Sequence, residues 1–343
     1  MSIKELAQRL NVSIGTVSRA LNGRADVNSE TRKRVLAAAK AMGYVANQSG
    51  RSLRQGATNV IGFTIETNVE TRSQGDTFFM SVFDGVQKVF ARHKLDLVVL
   101  PCSSEDDPFD HVRRVVSRQF VDGLIISATQ RNDPRIDFLI ERGIPFVALG
   151  RSQSGGEHSW IDMDFEGVAA GAVARLVARG HRRIALANTA SGINLSYIFE
   201  ASYRRALASH GIAYDPDIVL RGEITERGGY QICDRLLAVA DRPTAMLLVN
   251  ENLAIGIYRR LHEAGLRPGA DMAIIGLRQS PQARFLAPTL TCHRISLHDV
   301  GVELAQALLA GMPAYKDQYP LGVVQKIWPM ELVPGESDPP LGG

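Results

Sequence analysis

Hydroxyl side chains and one guanidinium lie together in a short stretch near the N-terminus. Ser13, Thr16 and Ser18 carry short hydroxyls, and Arg19 follows them directly. Such hydroxyls suit hydrogen bonds to phosphate oxygens, and an arginine can pair bidentately with guanine. An arginine on a small helix can also be a solvated charge or a phosphate ligand, although we favour base contact in this motif. The chemistry indicated is recognition of a polyanion.

Charge is divided unevenly along the chain. The whole sequence has a net charge of +3, but residues 1–54 contain ten Lys and Arg against three Asp and Glu, a net of +7. The remaining 289 residues carry a net of −4. A basic segment on an otherwise acidic chain is typical of a nucleic-acid partner, although a merely solvated basic face would have the same composition.

Local signals predict that these residues belong to a helix-turn-helix. Ser2 and Glu5 form a capping box at the start of a first short helix, and Ser13 can cap a second helix that ends near Asn22-Gly23. Apolar residues at helical spacing predict a third helix from Ser29 to Gly43. Two helices and a tight turn alone are weak support, because many helical hairpins have this pattern.

Longer motifs are more specific. They are Thr16–Gly23 (TVSRALNG), Gly43-Tyr44, Arg51–Arg54 (RSLR), Val121–Ser127 (VDGLIIS), Arg179–Ala185 (RGHRRIA) and Pro288–Thr291 (PTLT). Through them the chain resembles the LacI/GalR family of bacterial transcriptional repressors over nearly its whole length. The resemblance implies an N-terminal all-α helix-turn-helix head and an α/β sensor of two parallel-sheet lobes, similar to periplasmic binding proteins. It also implies that a small effector controls operator affinity.

By this resemblance the second helix reads double-stranded operator DNA. Ile14, Gly15 and Arg19 would face the bases, and an apolar side chain at Ile14 suits contact with a thymine methyl group. The predicted DNA-binding set in the head is Ser13, Ile14, Gly15, Thr16, Ser18, Arg19 and Asn22. One head reads only a half-site, so a homodimer on a pseudo-palindrome is expected.

Residues 46–58 are predicted to be a hinge between head and sensor. The segment 47–54 is polar and contains Gly50, a poor helix residue where the family usually carries Ala, so we expect it to fold only on DNA. The resemblance implies that Arg51, Leu53 and Arg54 bind DNA, with Leu53 wedged between base steps in the minor groove. An isolated leucine in a linker is otherwise an ordinary packing contact.

Apolar runs at 60–65, 95–100, 121–127, 145–149, 183–187, 245–249 and 272–277 alternate with helical stretches and predict parallel α/β sheets. The family resemblance implies that the chain crosses between two lobes near residues 162, 292 and 321. We therefore expect a first lobe of 59–162 plus 293–321 and a second of 163–292 plus 322–333. Residues 334–343, rich in Gly and Pro, are expected to be a disordered tail with no coiled coil for tetramerisation.

The effector is expected between the lobes, at the carboxyl ends of the strands. Family matches nominate Phe78, Phe79, Arg151, His158, Trp160 and Asn250, and aligned positions add Phe199, Arg278 and Gln279. Each has a structural alternative: core packing for the phenylalanines, interlobe packing for Trp160, helix capping for Asn250.

The chain departs from the family pattern at three effector positions. Arg278-Gln279 replaces an Asp-Asp pair, Phe199 replaces an arginine, and Ile224 replaces a stacking aromatic. Arg278 would bind an anionic effector or donate to the hydroxyls of a neutral sugar, unless it is an outward-facing structural residue. A carbohydrate, such as a sucrose-like α-glucoside, is the favoured effector, and the sequence leaves open whether it releases or strengthens DNA binding.

Other classes of function find little support in the sequence. It contains no Walker loop, zinc-protease motif, nucleophile elbow or dinucleotide fingerprint. We therefore expect that the protein is not an enzyme and that it binds neither a metal ion nor a cofactor. The absence of a leader or an apolar run long enough to span a bilayer disfavours a secreted sugar-binding protein and favours a cytoplasmic, nucleoid-associated one. A cytoplasmic sugar-binding or sugar-modifying protein with an accessory basic head is the alternative. Cys102, Cys233 and Cys292 are expected to be buried thiols.

Overall fold

Residues 1–58 and 59–343 form two folding units, the head and the sensor, in the computed structural model. The structure describes residues 2–21, 24, 26–44, 57–67, 69–320 and 322–342, with the backbone alone for residues 69–77. Most of the predicted hinge, including Arg51, Leu53 and Arg54, lies outside the described residues, as does Asn22.

The head consists of helices α1 (Ile3–Leu10), α2 (Ile14–Leu21) and α3 (Ser29–Ala41). The predicted capping box is confirmed: Ser2 Oγ accepts the amide of Glu5 at 3.3 Å, and the Glu5 carboxylate accepts the amide of Ser2 at 3.1 Å. Ser13 caps α2 by accepting the amide of Thr16 at 3.0 Å. The helices enclose a small core of Leu6, Ala7, Val17, Ala20, Val27, Val35 and Ala39.

The first lobe of the sensor has a six-stranded parallel sheet. Its strands are β1 (Val60–Glu66), β2 (Asp96–Cys102), β3 (Gly123–Ile126), β4 (Phe146–Leu149), β5 (Ser159–Met163) and β11 (Gln325–Trp328). They are arranged in the order β11-β5-β4-β3-β1-β2. Its helices are α4 (Val69–Arg92), α5 (Pro108–Ser117), α6 (Pro134–Glu141) and α11 (Leu297–Ala310). Alternate residues of β3 point to opposite faces, so Ile125 packs with α4 and α11 while Leu124 and Ile126 pack with α5 and α6.

The second lobe repeats this architecture. Its strands are β6 (Ile184–Thr189), β7 (Val219–Gly222), β8 (Ala245–Leu248), β9 (Ala273–Arg278), β10 (Thr291–Arg294) and β12 (Glu331–Val333). They are arranged in the order β12-β10-β9-β8-β6-β7, and all are parallel except β12. Its helices are α7 (Phe165–Ala178), α8 (Asn194–Ser209), α9 (Glu226–Leu237) and α10 (Asn252–Glu263). Cys102, Cys233 and Cys292 are free and buried, as expected.

The third crossing between the lobes differs from its predicted position. Residues 322–333 were assigned to the second lobe, but β11 pairs in parallel with β5, Gln325 opposite Trp160, and so belongs to the first sheet. The chain crosses between β11 and β12, and residues 293–294 likewise lie in the second sheet as part of β10. The edge strand β11 reads Gln-Lys-Ile-Trp, with no apolar run to mark it in the sequence.

The prediction of a disordered tail is wrong. Ser337 and Asp338 are fully buried. The Asp338 carboxylate forms ion pairs with Arg175 at 2.5 Å and with Arg179 at 3.2 Å. It also accepts a hydrogen bond from the Thr291 hydroxyl at 2.5 Å. Polar side-chain bonds, rather than helix or strand, hold this segment against the second lobe. A composition rich in Gly and Pro could not show them.

We predict that Asp338→Ala lowers the free energy of unfolding by about 2–4 kcal/mol, because it leaves two guanidiniums without their buried partner. Glu331→Ala, which removes an exposed carboxylate paired with Arg294, should change it by less than about 0.5 kcal/mol. Urea denaturation followed by circular dichroism measures both. Equal stability of the Asp338 variant and the wild type would mean that the tail does not dock.

Candidate functional site

The outward face of α2 carries the predicted DNA-reading residues. Val17 and Ala20 are buried in the head core, whereas Ile14 is 42% exposed. Gly15 lies on the same exposed side, and a side chain added there would meet only Ser13 Oγ, at 3.6 Å. This face is therefore open to a DNA groove.

Arg19 projects from α2 into solvent. Its side chain is 54% exposed and lies 3.7 Å from the Asp26 carboxylate, which is 59% exposed. An ion pair so exposed contributes little to stability, so the guanidinium can leave it for a base or a phosphate at small cost. Ser13 and Thr16 share a 2.9 Å hydroxyl contact at the start of the helix, where amide groups also favour phosphate.

The sensor contains a cleft between its two lobes, at the carboxyl ends of the strands. Its cavity volume is about 150 Å³, and its lining is mostly apolar with a few polar and charged side chains, as is usual for small-molecule sites. The first lobe contributes Phe78, Phe79, Ser127, Ala128, Thr129, Leu149, Gly150, Arg151, Asp162 and Met163. The second lobe contributes Phe165, Ile193, Leu195, Ile224, Val249, Asn250, Glu251, Leu277 and Arg278.

Arg151 follows β4 and connects the two lobes. Its Nε donates to Asp162 at 2.7 Å within the first lobe, and its Nη2 donates to Glu166, at the start of α7 in the second lobe, at 2.7 Å. Burial raises the pKa of the Asp162 carboxyl, although Arg151 opposes the shift. Burial also acts to raise the pKa of Glu166, but the hydrogen bond and charge of Arg151 lower it overall. The guanidinium is thus fully compensated by carboxylates.

The second cleft guanidinium, Arg278 at the end of β9, is also compensated. Its Nη2 lies 2.7 Å from Glu251 Oε1, and its amide donates to Glu251 Oε2 at 3.3 Å. Burial raises the pKa of Glu251, and the nearby Arg278 opposes that shift. Oε1 is buried and within ion-pair distance of the guanidinium, so Glu251 and Arg278 neutralise each other at this wall of the cleft.

Contacts across the cleft hold the lobes together. The Asn194 amide donates to the Thr129 carbonyl, and its side-chain amide donates to the Arg151 carbonyl, both at 2.8 Å. Arg278 from the second lobe lies 5.5 Å from the centre of the Phe78 ring of the first. These contacts depend on how far the lobes are closed, so a ligand in the cleft can alter them.

The structure brings five predicted effector residues to the cleft: Phe78, Phe79, Arg151, Asn250 and Arg278. Asn250 also caps the turn into α10, since its Oδ1 accepts the amide of Asn252 at 2.9 Å. Arg278 is only 8% exposed and turned toward the cleft, which excludes an outward-facing structural role.

Four predicted effector residues lie away from the cleft lining. Phe199 is fully buried in the core of the second lobe. His158 is buried and stacks on Phe146, with ring centres 5.6 Å apart. Trp160 packs in the first lobe, and its ring centre lies 5.7 Å from the guanidinium carbon of Arg151. Gln279 donates its amide to the His293 carbonyl at 2.8 Å.

Sequence analysis missed Asp162, Glu251 and Asn194. Glu251 directly follows the predicted Asn250, and β8 and β9 are neighbours in the sheet, so the approach of Glu251 to Arg278 follows from the topology. No group of three His, Cys, Asp or Glu that could hold a metal ion occurs among the described residues. Within the same part of the chain, every helix is too short or too polar to cross a membrane.

Two family descriptions match the sequence. Bacterial regulatory proteins of the lacI family match over residues 2–47, and the periplasmic binding protein-like domain matches over residues 173–337. The HTH-type transcriptional regulator AglR of Rhizobium meliloti (strain 1021) is 34% identical over 99% of this chain and 95% of its own length.

Solved structures share the fold. A Lac repressor dimer bound to operator and an anti-inducer has a TM-score of 0.84 at 23% identity, covering 98% of each chain. The complex of the transcriptional regulator CelR with cellobiose has a TM-score of 0.73 at 26% identity, covering 98% of this chain and 99% of the other. With the full-length likeness to AglR, the chain belongs to the lacI family and is a DNA-binding transcriptional regulator rather than an enzyme.

Proposed function

We propose that this regulator is a homodimeric repressor whose operator affinity is controlled by a neutral carbohydrate bound in the cleft. The carrying observation is the compensation of both cleft guanidiniums, Arg151 by Asp162 and Glu166 and Arg278 by Glu251. An anionic effector would have to enter beside these carboxylates and compete with them. A neutral, hydroxyl-rich molecule meets donors and acceptors without adding charge.

Other features of the cleft support a sugar. The side chains of Asn250 and Arg278 line the cleft and can donate hydrogen bonds to sugar hydroxyls. Phe78, Phe79 and Phe165 supply apolar surfaces that suit the faces of pyranose rings. The CelR structure of the same family holds cellobiose, which supports a disaccharide here, with a sucrose-like α-glucoside as our specific candidate.

For DNA, we infer that α2 enters the major groove of the operator. Ile14, Gly15 and Arg19 would approach base edges while Ser13, Thr16 and Ser18 bind phosphates. The predicted hinge contacts of Arg51, Leu53 and Arg54, and the contact of Asn22, remain part of this proposal. Operator binding would place the protein on the nucleoid, in the cytoplasm.

A dimer is proposed because one head reads only half of a pseudo-palindromic operator. Phe285, in the short 3₁₀ turn after β9, is 88% exposed and is our candidate for the contact between the two copies. A second copy of the chain would cover it.

The DNA proposal is tested with Arg19→Ala. The variant should lose about 1–3 kcal/mol of affinity for a selected operator and much less for random DNA, because a guanine contact discriminates between sequences. Lys40→Ala removes one positive charge from the end of α3 and should weaken binding to the operator and to random DNA equally. Fluorescence anisotropy at fixed salt gives the affinities. Equal losses of Arg19→Ala on both DNAs would make Arg19 a phosphate ligand.

The effector proposal is tested with Arg278→Ala and Glu251→Gln. Arg278→Ala should weaken calorimetric binding of a neutral disaccharide, chosen by screening sucrose, cellobiose and related α-glucosides, by about 1.5–3 kcal/mol. Glu251→Gln leaves Arg278 without its counter-charge, so it should raise affinity for the uronic acid form of that sugar relative to the neutral form. Wild-type protein that binds the uronate more tightly than the neutral sugar would contradict the proposal.

The dimer is tested with Phe285→Asp, which should shift the protein toward monomer in sedimentation at low micromolar concentration, because the buried charge would find no partner. Leu341→Asp alters another exposed apolar residue, 52% exposed on the C-terminal segment, and should leave the dimer intact. A wild-type monomer, or a stable tetramer, would be incompatible with the proposed assembly.

A further inference from the structure

A second concave surface lies beside the cleft, on the outer side of α8. It is an open groove to which the two lobes both contribute: Arg131 and Gln153 from the first, Tyr197, Arg204 and Arg205 from the second. We call it the interlobe basic groove. None of the predicted effector residues lines it, so it is a separate place from the effector cleft.

The groove carries positive charge that the described residues do not compensate. Arg131 donates to Gln153 at 2.9 Å and lies 5.1 Å from the Tyr197 ring centre. Arg204 lies 5.0 Å from the ring centre of Tyr214, and Arg205 donates to the Ser202 hydroxyl at 2.7 Å. Ring faces and neutral oxygens hold these guanidiniums in place, but within the described chain no carboxylate lies in ion-pair contact with any of the three.

The carboxylates of the groove are already engaged. Glu166 is bonded to Arg151, and Glu200 is bonded to Arg221, Tyr214 and Asn188. The lining holds four arginines and two glutamates, a net charge of +2, in a part of the chain, residues 55–343, whose net charge is −4. Such a concentration of guanidiniums, against the overall charge of the sensor, is the arrangement that suits phosphate or carboxylate.

We propose that the interlobe basic groove binds a small phosphate-bearing anion, which bridges Arg131 of the first lobe and Arg204 and Arg205 of the second. Guanidiniums match phosphate oxygens bidentately, and Arg131, Arg204 and Arg205 all line this groove. The exposed Tyr197 hydroxyl lies in the same groove as a further donor. The anion would stabilise the closed arrangement that the Asn194 hydrogen bonds already mark.

The groove is linked to the effector cleft through Arg151. Glu166 lines the groove and bonds to Arg151, which lines the cleft, and Asn194 of the groove donates to the Arg151 carbonyl. Both ligands would act on the same closure of the lobes. Binding of one then changes the affinity for the other by an equal factor.

Calorimetry of the full chain with inorganic pyrophosphate and with orthophosphate, at constant ionic strength set with NaCl, tests the site. Wild type should bind pyrophosphate with a dissociation constant below about 1 mM, and Arg204→Gln/Arg205→Gln should weaken it by about tenfold or more. Arg131→Gln should weaken it as well, because the anion bridges the lobes. Tighter binding of pyrophosphate than of orthophosphate would indicate a ligand with linked phosphates or an ester rather than free phosphate.

The matched control is Arg259→Gln, which removes an exposed arginine of α10 paired with Glu263 and should leave affinity unchanged. Pyrophosphate bound by the basic head would survive the Arg204/Arg205 change, and that result would overturn the proposal. So would the absence of binding by wild type at about 10 mM ligand, where a millimolar site would be nearly saturated. Undiminished affinity in Arg131→Gln would overturn the bridging of the lobes.

Discussion

The ion pairs of one residue, Arg151, join the two lobes of the sensor. Its guanidinium joins Asp162 of its own lobe to Glu166 of the other, and its carbonyl accepts the side-chain amide of Asn194. A partly buried cation is costly to desolvate unless it is paired and hydrogen-bonded. Here the bond to Glu166 joins the two lobes, and the bond to Asp162 lies at the edge of the cleft. Separation of the lobes would therefore break the pair between Arg151 and Glu166, which favours the closed arrangement.

The same pairing governs what the cleft can bind. A sensor that had lost the family's Asp-Asp pair could be expected to bind an anion through Arg278, and the sequence alone left that alternative open. Glu251 changes the outcome, because it places a carboxylate 2.7 Å from the guanidinium and keeps the wall neutral overall. Charge that faces outward without compensation lies instead in the interlobe basic groove. Neutral and anionic ligands would thus be sorted to different places on one sensor.

Much of the fold follows from sequence patterns, and the failures have physical causes. Caps and apolar spacing located the head helices, and buried apolar runs located the central strands. Edge strand β11 escaped because it is amphipathic, and the docking of Asp338 escaped because it depends on arginines far away in the sequence. Phe199 was assigned by family position, although its spacing with Tyr203 and Ala206, all buried, is that of a helix face packed in a core. At the cleft, side chains were predicted one at a time, whereas their chemistry lies in pairs that only the neighbouring strands bring together.

The operator affinity of the wild-type protein, measured by anisotropy with a saturating neutral disaccharide and with the corresponding uronate, tests whether a neutral sugar controls DNA binding. We expect the neutral sugar to change the dissociation constant of the operator by about tenfold or more, in either direction, since coupling between sites is usually about 1–3 kcal/mol. We expect the uronate to have little effect at the same concentration. Control of operator binding by the uronate, with no response to any neutral sugar, would show that the effector is an anion.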